Sequence, residues 1–218
     1  MTIRILVTGF SVFPGAPINP SEDLIARFRD EAAQCLPDVA ISAVVFETAY
    51  ASIGMAFADA LEASRPDAAV HFGLAKSARG FRLETTARNE IRPGAIDARG
   101  DPPPGEKICD GPDLEPSGLP LDEIEARLRR LGLPVERSDD TGGYLCNYLF
   151  YLARRPSGRI GAPLISGFIH IPHLAEHADL IPEGGTMLTR DALWRGSLEI
   201  VAATADAVKE RLRIAPHG

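Results

Sequence analysis

The chain has 218 residues, 45% of them hydrophobic, which is enough to bury one sizeable core and fits a single α/β domain over residues 1–218. Its formal charge of −7 comes from acids and bases that are interspersed without a basic block, which excludes the electrostatic footprint of a nucleic-acid binder. Three well-separated cysteines, at 35, 109 and 146, exclude a disulfide framework and a paired-cysteine metal site, and suit a reducing compartment.

The chain opens on Ile3–Val7, a β-branched run that predicts a first buried strand; Arg4 within it denies the opening the apolar stretch of a signal peptide. Asn19-Pro20-Ser21-Glu22 then starts a helix, Asn19 accepting from free backbone N–H groups and Pro20 suiting the first helical position. Val39–Phe46 predicts a second strand, Ala51–Ser64 a second helix and Ala68–Phe72 a third strand. Arg92–Pro120, which contains Pro102-Pro103-Pro104-Gly105, predicts a long loop. Loops of more than ~15 residues in a compact domain are usually functional or disordered, and this one begins shortly after Glu84, so it is expected to border a site.

Leu121–Leu131 predicts a further helix, Val135–Arg137 a weaker strand and Leu164–Ile171 a strong one. The last helix, Arg190–Leu212, turns Leu193, Trp194, Leu198, Val201 and Val208 toward a core and Asp206, Lys209 and Arg213 toward water. Strands alternating with helices predict an α/β fold with a mainly parallel sheet covered on both faces, and a site at the carboxyl ends of the strands. No apolar run approaches the ~20 residues of a membrane span, so no membrane partner and a cytoplasmic location are expected.

Two segments carry candidate chemistry. From Ser138 to Tyr151 a polar turn with Gly142 and Gly143 passes into an apolar run of helical spacing, which places Cys146 near a helix N-terminus. The helix dipole there favours a thiolate, and unpaired amides can hold an oxyanion; a free cysteine is about as often a buried structural residue. Cys35, ending a surface helix, and Cys109, in the loop, have weaker surroundings. In Gly167-Phe168-Ile169-His170-Ile171-Pro172 an apolar strand ends in a histidine, which can take a thiol proton and return it to a leaving amine. His71 lies inside a strand run and reads as a core residue. His170, His173 and His177 have a spacing that can ligate metal, but Pro172 interrupts it and no acidic cluster or cysteine pair completes the set, so no metal is expected. A carboxylate must orient such a histidine, and position alone does not select Glu84 over the other acids, since its neighbours Arg82 and Arg88 suit a surface ion pair.

Taken together the segments resemble pyroglutamyl-peptidase I, a family of cysteine peptidases that remove an N-terminal pyroglutamate. Thr8-Gly9-Phe10-x-x-Phe13-x-Gly15 with Asn19-Pro20-Ser21, Glu84-x-x-Ala87-x-Asn89, Cys146-Asn147-x-Leu149-x-Tyr151 and Gly167–Pro172 are similar to the family's motifs and keep their order from residue 8 to 172. The resemblance implies a three-layer α/β/α sandwich, Cys146 as nucleophile, His170 as base and Glu84 behind it. Phe10 and Phe13 are implied to line the acyl pocket, and Arg99 of Asp97-Ala98-Arg99 to lie near the catalytic centre. It further implies small pyroglutamyl peptide substrates, no metal or organic cofactor, and assembly into homodimers or homotetramers. Leu74 stands where the family usually has Gln, Arg92-Pro93-Gly94-Ala95 is extra length, and Thr141-Gly142-Gly143-Tyr144 departs from the usual approach to the cysteine. These departures leave two alternatives, a related thiol hydrolase of another small acyl or cyclic amide, and a ligand-binding descendant with an inactive trio.

Overall fold

The computed structural model describes residues 2–13, 15–155, 165–180 and 188–214. Strand β1 (Ile3–Phe10) is followed by helix α1 (Pro20–Cys35), β2 (Val39–Phe46), α2 (Tyr50–Ser64) and β3 (Ala68–Leu74). Three short strands come next, β4 (Phe81–Glu84), β5 (Thr86–Arg88) and β6 (Leu114–Pro116), then α3 (Leu121–Arg130) and β7 (Val135–Ser138). Helix α4 (Leu145–Arg154), β8 (Ile165–Ile171), a 3₁₀ segment over Ala175–Leu180 and α5 (Arg190–Ile214) complete the chain. Leu164, expected to open β8, lies outside the described residues.

Six strands form one sheet in the order β2-β1-β3-β8-β4-β7. The first four are mutually parallel; β4 and β7 pair parallel with each other and antiparallel to β8. Side chains alternate faces along a strand, and β1 divides accordingly, with Ile3, Ile5 and Val7 in one apolar cluster and Leu6 and Phe10 in the other. The first cluster holds Phe28 of α1, Leu128 of α3 and Trp194 and Val201 of α5. The second holds Ile53 and Phe57 of α2 and Leu149 and Phe150 of α4. Helices therefore cover both faces, the expected three-layer sandwich.

The entry to α1 explains how tightly its first turn meets β1. The Asn19 side chain accepts from the Ser21 backbone N–H at 3.1 Å, and Ser21 Oγ accepts from the Phe10 N–H at 3.1 Å. A β-carbon on Gly9 would lie 2.7 Å from both Ile25 Cγ1 and the Ser21 carbonyl oxygen, so only glycine lets the strand pass.

Between β5 and α3 the loop expected over residues 92–120 holds one short strand, because β6 pairs antiparallel with β5. Asn89 supplies what regular structure does not: its side-chain oxygen accepts from the N–H groups of Ile108 and Cys109, and its amide donates to the carbonyls of Cys109 and Gly111. Tyr151 of α4 donates to the Pro112 carbonyl at 2.6 Å.

Gly9→Ala is expected to lower stability by about 1–3 kcal/mol through overpacking. Urea unfolding checks this, the midpoint falling while the slope stays constant.

Candidate active site

β4 is the strand that sequence patterning does not announce. Phe81 and Leu83 enter the core while Arg82 and Glu84 share the opposite face, a short half-polar alternation. Its antiparallel register with β8 sets Arg82 opposite His170, so Glu84 reaches the histidine diagonally across the ladder. Glu84 Oε1 lies 2.7 Å from His170 Nδ1; the carboxylate is fully buried and the imidazole is 5% exposed. A carboxylate oxygen only accepts, so the proton sits on Nδ1 and Nε2 is left as the free acceptor. The flanking arginines, read as Glu84's surface partners, are engaged elsewhere. Arg82 donates to Glu136 at 2.7 Å, and Arg88 lies 3.7 Å from Asp139.

Cys146 is the second residue of α4, and Tyr144 at the helix cap contributes no side-chain hydrogen bond. The amides of the first turn are therefore not claimed by a side-chain cap. Gly142 and Gly143, at φ of 90° and 63°, make the left-handed approach that aims the helix. Cys146 and His170 line one cleft of about 320 Å³. Phe10, Phe13, Leu74 and Tyr144 form its apolar wall, with the Phe13 and Tyr144 ring centroids 5.9 Å apart.

Burial, and secondarily the Glu84 carboxylate, push the Cys146 thiol up to about 12, against a smaller downward pull from a backbone N–H. Burial at this position thus opposes the helix terminus, which favours the thiolate. A thiol pushed up in this way would need a base to attack, and His170 lines the same cleft.

Other sequence candidates are placed as follows. His71 is fully buried with Nδ1 2.7 Å from Thr8 Oγ1, and burial pushes it down to about 3, so it is neutral. Cys35 and Cys109 are exposed. Among the described residues no group of three or more His, Cys, Asp or Glu is arranged to hold a metal ion. Arg99, expected near the centre, instead pairs with Glu47 (Nε to Oε1 2.8 Å) and is not among the cleft's lining residues. The turn it belongs to has a structural purpose. Asp97 is fully buried and accepts from the N–H groups of Tyr50, Arg99 and Asp101, capping the start of α2 from across the fold. Burial raises the Asp97 carboxyl, but these backbone donors together outweigh it and hold it below its usual range.

Arg92 is among the residues lining the cleft. Sequence reading passed over it as extra length. The contact that seats it, its backbone N–H donating to the Gly143 carbonyl at 2.7 Å, joins segments 51 positions apart and leaves no local signal.

The pyroglutamyl peptidase family model matches residues 3–205. The chain belongs to that family. It is 32% identical to a pyrrolidone-carboxylate peptidase of Pyrococcus furiosus, covering 96% of this chain and 100% of the relative. A Bacillus licheniformis pyrrolidone-carboxylate peptidase is 33% identical, with 83% of each chain covered. Among solved structures, pyroglutamyl peptidase I of Bacillus amyloliquefaciens superposes with a TM-score of 0.84 at 28% identity, over 94% of this chain and 96% of that one. A mutant pyrrolidone carboxyl peptidase of Pyrococcus furiosus gives 0.85 at 29%, over 94% and 99%. The family's enzymes are cysteine-type peptidases, and the α/β fold with its mostly parallel sheet is the one expected.

A thiol pushed up by burial would make proton transfer part of any attack by Cys146. The acylation rate, read as kcat/KM on an activated amide, is therefore expected to fall in deuterium oxide. An unchanged or faster rate would instead mean a preformed thiolate–imidazolium pair.

Proposed function

We propose that this chain hydrolyses the bond between an N-terminal pyroglutamyl residue and the rest of a small peptide, with Cys146 as nucleophile, His170 as general base and acid, and Glu84 as the group that orients His170. The observation that carries the reading is the buried 2.7 Å bond from His170 Nδ1 to Glu84 in the cleft that also holds Cys146 at a helix N-terminus. Nε2 takes the thiol proton as sulfur bonds to the pyroglutamyl carbonyl carbon, and the carbonyl oxygen gains the negative charge. First-turn amides of α4 stabilise that charge. When the C–N bond breaks, the imidazolium gives its proton to the departing amine. Water then attacks the thioester, losing a proton to Nε2; collapse releases pyroglutamate and returns the proton to sulfur.

Phe10, Phe13, Leu74 and Tyr144 suit the faces of a five-membered lactam. We place Arg92, not Arg99, at the mouth of the cleft. Cytoplasmic residence and homo-oligomeric assembly belong to the same proposal, supported respectively by free cysteines with two exposed and by exposed apolar side chains such as Met55 and Ile96.

One observation favours a second reading, a thiol hydrolase of another small cyclic acyl group. Polar side chains near the acyl wall already hold partners within the fold: Asn19 with Ser11 and Ser21, Thr48 with Ser11, and Tyr144 with the Ile96 carbonyl. Little is left over to read a lactam amide. Comparing kcat/KM for pyroglutamyl, prolyl and glutaminyl amides separates the two; strong preference for pyroglutamyl supports the first.

Cys146→Ala is expected to abolish release of a fluorescent amine from a pyroglutamyl amide under reducing conditions with chelator present, and full turnover in that variant overturns the assignment. Glu84→Gln should lower kcat by on the order of 10⁴-fold, the size of the equivalent loss in serine peptidases, while the protein stays folded.

A further inference from the structure

The nucleophile and its base sit on a seat built by residues that never touch substrate. Gly73 of β3 pairs with His170 of β8, and His71 pairs with Phe168. Paired residues and their i+2 neighbours share a face, so these four lie together under α4. Gly73 has no side chain, and its vacancy is filled from two directions. A β-carbon built there would lie 3.0 Å from Cys146 Sγ, and 2.7 and 2.9 Å from Cζ and Cε1 of Phe168.

The same Phe168 ring leans on the imidazole of His170, centroid to centroid 4.9 Å at 56°. Its opposite flank lies near-parallel to His71 at 6.4 Å, and Phe10 and Phe150 close in at 6.3 Å each. Thr8 anchors the His71 ring at 2.7 Å, and Phe168 is fully buried. One ring with two side-chain torsions, held on every side, thus supports the imidazole while its tip fills the spot beside the sulfur.

We propose that Gly73 and Phe168 are positioning residues for the nucleophile, Gly73 leaving the seat for the Cys146 sulfur and Phe168 fixing the imidazole plane beside it. The inference rests on the reading of Cys146 and His170 as nucleophile and base. Its physical content is alignment: for proton transfer Sγ and Nε2 must come within hydrogen-bond reach, and a displacement of about 1 Å costs about 10²-fold in rate.

Steady-state kinetics on a pyroglutamyl amide and thermal melting test this, using native protein, Cys146→Ala, Phe168→Leu, Gly73→Ala and the Gly73→Ala/Phe168→Leu double variant. Phe168→Leu is expected to lower kcat by about 10²-fold with KM changed no more than about twofold. Gly73→Ala is expected to lower both Tm and kcat, because its methyl meets the ring tip and the sulfur. In the double variant the shortened side chain gives that methyl room, so Tm recovers toward that of Phe168→Leu while kcat stays low. A role in packing alone would restore kcat along with Tm. Native kcat in Phe168→Leu, or recovered kcat in the double variant, overturns the proposal. Phe168→Met, which keeps more length, gives the same readout if leucine unfolds the protein. If Cys146→Ala is inactive and Phe168→Leu is native-like, only the positioning role falls; turnover by Cys146→Ala overturns the underlying reading and this inference with it.

Discussion

The bond between Glu84 and His170 is the constraint around which the rest is arranged. A fully buried carboxylate is costly unless paired, and removing one partner of such a pair typically costs 3–5 kcal/mol. Here the second carboxylate oxygen has no hydrogen-bond partner among the described residues, so His170 carries the compensation alone. An arrangement this expensive persists only if the sheet leaves it no alternative. β4 runs against β8 on one side and is zipped to β7 on the other, with four paired residues from Phe81 to Glu84. Slipping β4 by one residue would turn Glu84 toward the other face, so the ladder register is what keeps the acid under the imidazole.

The same burial decides the state of the sulfur. A helix N-terminus stabilises a negative charge by about 0.3–1 kcal/mol, up to about 2 in favourable sites. Burial, and secondarily the Glu84 carboxylate, act in the opposite direction and push the Cys146 thiol up. Desolvation therefore works against the dipole, and the Glu84 carboxylate adds repulsion against a thiolate. The helix terminus then contributes chiefly through its amides, where charge develops on the carbonyl oxygen during attack. One carboxylate thus both holds the His170 imidazole and disfavours a thiolate at Cys146.

What could be read from sequence follows from how local the responsible physics is. The β-branched runs of β1, β2, β3 and β8, the Asn19-Pro20 start of α1 and the glycine turn before Cys146 are local signals, and the structure places elements at each. β4 was illegible because Phe-Arg-Leu-Glu owes its strand to neighbours on both sides and buries a charge that composition assigns to the surface. The desolvation of Cys146 was not legible for the same reason, since position along a helix is local and desolvation is not. Within the loop, Asp97-Ala98-Arg99 resembles a site segment, yet its buried aspartate caps α2 and carries Arg99 away to Glu47.

Asn147 joins the two halves of the site. The sheet presents Glu84 and His170, whereas Cys146 arrives on a helix that has to be docked independently. Next to Cys146, Asn147 accepts from the Arg88 N–H at 2.9 Å and donates to the carbonyls of Arg88 and Glu90 at 2.8 and 2.9 Å. It thereby acts as a ladder partner for β5 supplied by a side chain. Those bonds tie the first turn of α4 to the segment that continues directly from Glu84. Through Arg92 and Gly143 the same segment also grips the turn that enters α4. The distance between sulfur and imidazole is thus set by a short covalent and hydrogen-bonded circuit, Glu84 through Arg88 to Asn147 and Cys146. Glu84 lies only four positions from Arg88, whose backbone holds the helix of Cys146, so the sheet that pairs Glu84 with His170, 86 positions away, also fixes where that helix begins.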